Sequence, residues 1–208
     1  MTLVTDVVEN TWYLWVKLRD MKKVLVISSF TFLFLQCGNK VVHQETSNKE
    51  FETISSDSLH NYATETKKLL MKNVGEQMQK GGPESALEFC NIEAMPLTKS
   101  MSDKHGLVIS RVSDKRRNPK NIANAEELKL IEQYKKQLLA GEILKPVQTE
   151  THYYEPLVTN AMCLQCHGEP GKNIQPKVAA KIAELYPNDL ALGYKENEVR
   201  GLISIKTK

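Results

Sequence analysis

Cysteine is scarce in this chain. Its 208 residues hold four: Cys37, Cys90, Cys163 and Cys166. That is too few for a disulfide scaffold at this length, so each one needs a reason of its own. Long apolar runs are missing too, since crossing a bilayer takes about 20 such residues. Nothing repeats at a fixed period, which excludes a solenoid. Charge of one sign is also lacking: the net charge of +3 is dispersed and does not build the basic face that nucleic acid requires. Tryptophan occurs twice, as Trp12 and Trp15. What remains is globular, with 41% hydrophobic and 25% charged residues in a length that suits one domain.

The N-terminal part reads as an address. From Met21 the sequence runs MKKVLVISSFTFLFLQCGNK. Lys22 and Lys23 form a basic n-region, and Val24 to Leu35 form an apolar h-region too short to span a membrane. A cysteine directly after such a core resembles a bacterial lipoprotein signal, in which Cys37 is lipidated and becomes the mature N-terminus. Phe34 and Gln36 depart from the small residues usual there, and an ordinary cleaved signal with an incidental Cys37 is the alternative. Residues 1–20 precede this signal and read as an extension from an early start codon. Both tryptophans fall in it, so the mature chain is expected to hold none. Residues 21–36 are then the signal peptide. Residues 37–56, rich in Ser, Thr, Glu and Asn, form a polar tether with too little apolar surface to fold. Residues 57–208 are the folded domain.

Within it, Leu59, Tyr62, Thr66, Leu69 and Leu70 share one face of a helix over 57–80, which Gly81-Gly82 ends. Pro83 suits the first turn of a second helix. Ala86, Cys90, Ala94, Leu97 and Met101 form its buried stripe, so Cys90 faces inward; Pro96 predicts a kink or break nearby. Residues 106–113 are rich in β-branched side chains and read as a strand. Asn124 with Glu127 makes a capping box for a helix that ends at Gly141. Residues 145–159 are β-like, PKVAAKIAELYP is a short helix, and EVRGLISIK is a closing strand. This order is α+β, with an antiparallel sheet and flanking helices in a single domain.

The chemistry concentrates in NAMCLQCHGEP, residues 160–170. A zinc site needs a second cysteine pair or a spaced histidine pair, and there is none. A thioredoxin-like dithiol needs a βαβ setting and no adjoining histidine. A surface disulfide or two small buried side chains is the plain alternative. Covalent haem c uses every residue type: Cys163 and Cys166 attach the two vinyl groups by thioether bonds, and the His167 imidazole binds iron. The export signal agrees, because this attachment takes place outside the cytoplasm. For the second axial position the residues offer Cys90, His105, His152, Met78, Met95, Met101 and Met162. Cys90 leads, as an odd inward thiol in an exported chain, although a free cysteine is often a small core residue. His43 reads as solvated, and His60 as lying on a helix surface.

ALEFCNIEA, ISRVSDKRRNPKN, YYEPLVTNAMCLQCHGEP and YPNDLALGYKENEVRGLISIK follow in this order across residues 57–208. Together they resemble a bacterial family of exported c-type haem domains with a PAS-like fold, a domain of unknown function often found as the sensor part of signalling proteins. The resemblance implies an axial pair of His167 and Cys90. A thiolate on the iron stabilises the ferric form and lowers the potential, whereas methionine raises it. In the closing block Asn197 and Glu198 stand where the family has a Gly-Asp turn; asparagine tolerates the left-handed conformation such a turn needs.

Arg111, Arg116 and Arg117 are candidates to pair with haem propionates, with Arg111 and Arg117 in the matching blocks; the alternative is a solvated basic turn. Tyr153, Tyr154 and Pro156 are candidates to pack on the porphyrin, Tyr154 first, or to fill the sheet core. The expected function is a monohaem c-type cytochrome, tethered in the periplasm or cell envelope by a lipid, that transfers electrons to a redox partner protein or senses redox state. The alternative is a haem-based sensor of redox state or a small ligand that acts through a partner. Peroxidase chemistry needs an open iron, and a filled sixth position argues against it.

Overall fold

Ser55 opens the first helix, its hydroxyl accepting the Ser58 amide at 3.2 Å. The structure, a computed structural model, describes residues 54–208. The signal and lipidation expectations, and the tether as far as residue 53, lie outside the described residues; residues 54–56, expected to be the end of the tether, instead pack, cap and begin the first helix. Helix α1 (Ser56–His105) is two arms joined at Gly81 and Gly82, the only residues in it with non-helical dihedrals. Gly82 has φ 68° and ψ −161°, a conformation open to glycine alone at no steric cost. The sequence therefore places this break correctly.

The break expected at Pro96 does not form, and the dihedrals stay helical through it. Pro96 deprives the Ile92 carbonyl of its donor. Ile92 is 66% exposed and Pro96 lies on the same exposed side, where water can take that carbonyl. The opposite side, with Ala94, Thr98 and Met101, is buried, and this packing keeps the backbone helical.

Four strands form one antiparallel sheet in the order β1-β4-β3-β2, where β1 is Val108–Val112, β2 Val147–Gln148, β3 His152–Val158 and β4 Val199–Lys206. The β-like run over 145–159 is thus a hairpin rather than one strand. Thr149 makes the turn: its amide bonds the His152 carbonyl at 2.8 Å, and its hydroxyl accepts the His152 amide at 3.0 Å.

α1 covers one sheet face, packing Leu59, Ala63 and Met101 on Ile109, Tyr153, Ile203 and Ile205. Helix α2 (Ala125–Leu139) covers the other with Leu130, Ile131 and Tyr134 against Tyr154, Val199 and Leu202. Its capping box forms as expected, with Asn124 accepting the Glu127 amide and Glu127 accepting the Asn124 amide. Helix α3 (Ala161–His167) carries the cysteine motif, and α4 (Pro176–Leu185) packs Val178, Ile182 and the following Tyr186 on Leu87 of α1. Asn197 adopts φ 58°, the left-handed turn it was expected to tolerate. The fold is α+β and the described residues form a single domain, consistent with the PAS-like arrangement. No helix among them is long and apolar enough to cross a membrane.

A bulge places one side chain of the site. Leu157 pairs with Gly201 and Val158 with Val199, leaving Arg200 as an extra residue in β4. Strict alternation would send Arg200 to the α2 face with Leu202. The bulge turns it instead to the face of Ile203. Gly201 is required there: its φ is 152°, and a Cβ would sit 2.2 Å from the Val112 carbonyl oxygen.

Candidate functional site

The motif lies on the single short helix α3. Asn160 caps it, accepting the Cys163 amide at 3.2 Å. Cys163 and Cys166 are three residues apart and so share one helix face. Both are free thiols, half-buried, and both line a cavity of about 260 Å³ between the α1 arms, the sheet end and α3. Burial pushes the Cys166 thiol up to about 11; Arg117 opposes this, and Cys90 and Cys163 reinforce it.

His167 ends the helix and lines the same cavity. Its Nδ1 lies 2.9 Å from the Ala191 carbonyl oxygen. A carbonyl only accepts, so Nδ1 carries the proton and Nε2 keeps a free lone pair. Burial holds the ring well below the ordinary histidine range, Arg117 and Arg200 push the same way, and the Ala191 carbonyl opposes them. The imidazole is therefore neutral, the form that binds a metal.

Cys90 reaches this cavity from the second arm of α1. Burial raises its thiol, while Arg111 and Arg117 favour the thiolate. Among the other axial candidates, Met78 and Met162 line the cavity as well. Met95, Met101, His105 and His152 are not among the lining residues. Met101 belongs to the core under α1. His105 pairs with Glu65 and stacks on Tyr62, and His152 stacks on Tyr154. His60 lies on the exposed surface of α1, as expected, and bonds Glu155 at 3.0 Å. Among the described residues, no group of three or more His, Cys, Asp and Glu side chains converges as a site for a bare metal ion.

Charge in the cavity is of one sign. Lys67, Arg111, Arg117 and Arg200 line it, and no Asp or Glu does. Arg117 is neutralised by Asp189 behind it, at 2.9 Å. Arg111 donates to Thr98 Oγ1 at 3.1 Å and to the Ala94 carbonyl at 3.3 Å. Arg200 donates to Ser113 Oγ at 2.7 Å and to the Lys115 carbonyl at 3.0 Å. Neither has a carboxylate within 4.0 Å among the described residues, and burial lowers both from the ordinary guanidinium value. Arg116, the remaining candidate of the basic turn, does not line the cavity.

The aromatic expectation needs correcting. Tyr154 is 3% exposed in the core under α2 and does not touch the cavity, because its place in β3 points it to that face. Tyr153 lies in the core under α1, and Pro156 does not line the cavity. Tyr186 lines it instead, and Tyr194 stands edge-on to His167 with ring centroids 6.3 Å apart. Sequence reasoning missed Tyr186, Arg200 and the Ala191 carbonyl. Only the bulge at Gly201 could have revealed Arg200, and a backbone carbonyl leaves no mark in a sequence.

A family model described as Tll0287-like matches residues 39–207. Among solved structures, the crystal structure of the cyanobacterial heme-protein Tll0287 is similar, with a TM-score of 0.52 and 20% identity over 74% of this chain and 96% of that one. At that identity the likeness shows a shared fold. No curated protein matches the chain.

Proposed function

The chain belongs to the Tll0287-like family, and from that premise we propose that it is a monohaem c-type cytochrome that carries electrons or senses redox state. The observation that supports this best is His167. It follows Cys163 and Cys166 directly, has Nδ1 committed to Ala191 and Nε2 free, and shares a cavity with Cys90. The likeness to a heme-protein of the same fold agrees.

The residues present fit the group. Each cysteine thiol adds across one vinyl C=C, sulfur to one carbon and hydrogen to the other, so attachment needs no oxidant. Arg111 and Arg200, which lack carboxylate partners, suit the two propionates. Arg117 does not, because Asp189 holds it. Bound there, haem supplies a one-electron iron couple. His167 and Cys90 would hold its iron, with Arg111 foremost in favouring the Cys90 thiolate. Lipidated Cys37 and the tether would hold the domain at the periplasmic face of a membrane, beside a redox partner protein.

One observation favours sensing. Met78 and Met162 also line the cavity and offer thioethers, which suit ferrous iron better than thiolate does. Ligand exchange on reduction would mark a sensor, and a fixed ligand pair a carrier.

Expression with cytochrome c maturation machinery tests the proposal. The protein is expected to gain the mass of one haem and a Soret band, and Cys163→Ala/Cys166→Ala to lose both. A matured chain with neither would refute it.

A further inference from the structure

We propose that the buried Arg117–Asp189 ion pair is a clasp that sets the orientation and charge environment of the His167 ligand. Arg117 is then a positioning residue that acts on the iron through the imidazole rather than through a propionate. The proposal rests on haem being bound at His167.

The clasp is a closed ring. Arg117 Nη2 donates to the Cys166 carbonyl at 2.6 Å. Nη2 and Nε of the same guanidinium donate to Asp189 Oδ2, at 2.9 and 3.2 Å. Asp189 Oδ1 accepts the Ala191 amide at 2.8 Å. The Ala191 carbonyl accepts the His167 Nδ1 proton at 2.9 Å. The peptide bond from Cys166 to His167 closes the ring. A single fork thus fixes the end of the motif helix and, through Asp189, the carbonyl that orients the ring following it. Hydrogen-bonded groups behind a ligand histidine fix its tautomer and raise its basicity.

Both side chains are buried, Arg117 at 9% and Asp189 at 4% exposure. In such a place a charge is weakly screened, and losing one partner leaves the other's field acting on the iron. The loop does not depend on the pair for its docking. The amides of Leu190, Gly193 and Tyr194 bond the carbonyls of Arg116, Gly168 and His167 at 3.0, 2.8 and 2.9 Å. Variants of the pair are therefore expected to fold and to attach haem.

The test is the midpoint potential and ferric EPR spectrum of matured wild type, Asp189→Asn, Arg117→Gln and Arg117→Lys, with haem content verified by mass. Asp189→Asn leaves the Arg117 cation uncompensated and is expected to shift the potential up. Arg117→Gln leaves the Asp189 anion and is expected to shift it down. Arg117→Lys keeps the charge and is expected to return the potential toward wild type, with an altered EPR spectrum because the fork is lost. Shifts of the same sign in the first two, or unchanged potentials and spectra in variants that carry haem, would overturn the clasp. Wild type without haem would overturn the haem reading instead. Should the variants not fold, hydrogen exchange in the wild type decides. The Arg117 Nε and His167 Nδ1 protons are expected to be protected together, and fast exchange of either would overturn the proposal.

Discussion

Burial keeps the His167 ring uncharged, and its one proton is committed to Ala191. This makes the haem-free protein sensitive to acid. An unfolded histidine takes up a proton near pH 6.5, whereas the folded ring resists it to lower pH, so the unfolded state binds more protons as pH falls. Stability from this group is full above about pH 6.5 and declines below it. Cys166 behaves in the opposite sense: raised from 9.0 to about 11, it contributes stability that is lost as pH rises between those values. Urea midpoints of the haem-free protein are expected to fall at both ends; burial also raises Cys90, Tyr134 and Tyr186, so Cys166→Ala is expected to lessen the alkaline fall without abolishing it. A flat alkaline limb in the unmutated protein would contradict the burial of Cys166. At this scale the sequence was partly legible. The four-residue steps of Ala86, Cys90 and Ala94 placed Cys90 inward, but the cavity it enters is made by elements far away in the chain. Arg117 was read for a propionate because its type suits one. Its true partner, Asp189, lies 72 residues on, and no local pattern links the two.

Among the elements, β4 carries the sharpest constraint. An alanine at Gly201 must leave φ 152° or drive its Cβ into the Val112 carbonyl. Gly201→Ala is expected to cost about 3 kcal/mol or more and to displace Arg200 from the cavity. Chemical denaturation measures the first effect, and a lower yield of haem attachment during maturation, in a chain that still folds, would report the second. A variant as stable as wild type would contradict the bulge geometry. Some helix ends were legible because capping is local chemistry, as at Asn124, Glu127 and Gly82, whereas the cap of α1 at Ser55 was not. The helix through Pro96 was not, since a lost bond on the exposed side is overridden by packing on the other. Nor was the hairpin at Thr149, where β propensity runs unbroken through the turn.

At the scale of the described residues together, helices cover both faces of a four-stranded antiparallel sheet, and both α1 arms, β1, β4 and α3 meet at the cavity. The α+β class followed from the order of elements in the sequence. The meeting of residues 90, 111, 163, 166, 167 and 200 did not, because it depends on how the α1 arms fold back at Gly81 and Gly82. On that meeting rests the central proposal, that the cavity would hold a haem with His167 and Cys90 as its ligands. EPR of the matured ferric protein tests it most directly. A low-spin signal of histidine–thiolate character is expected, and its loss in Cys90→Ser. A spectrum unchanged by that substitution would contradict it.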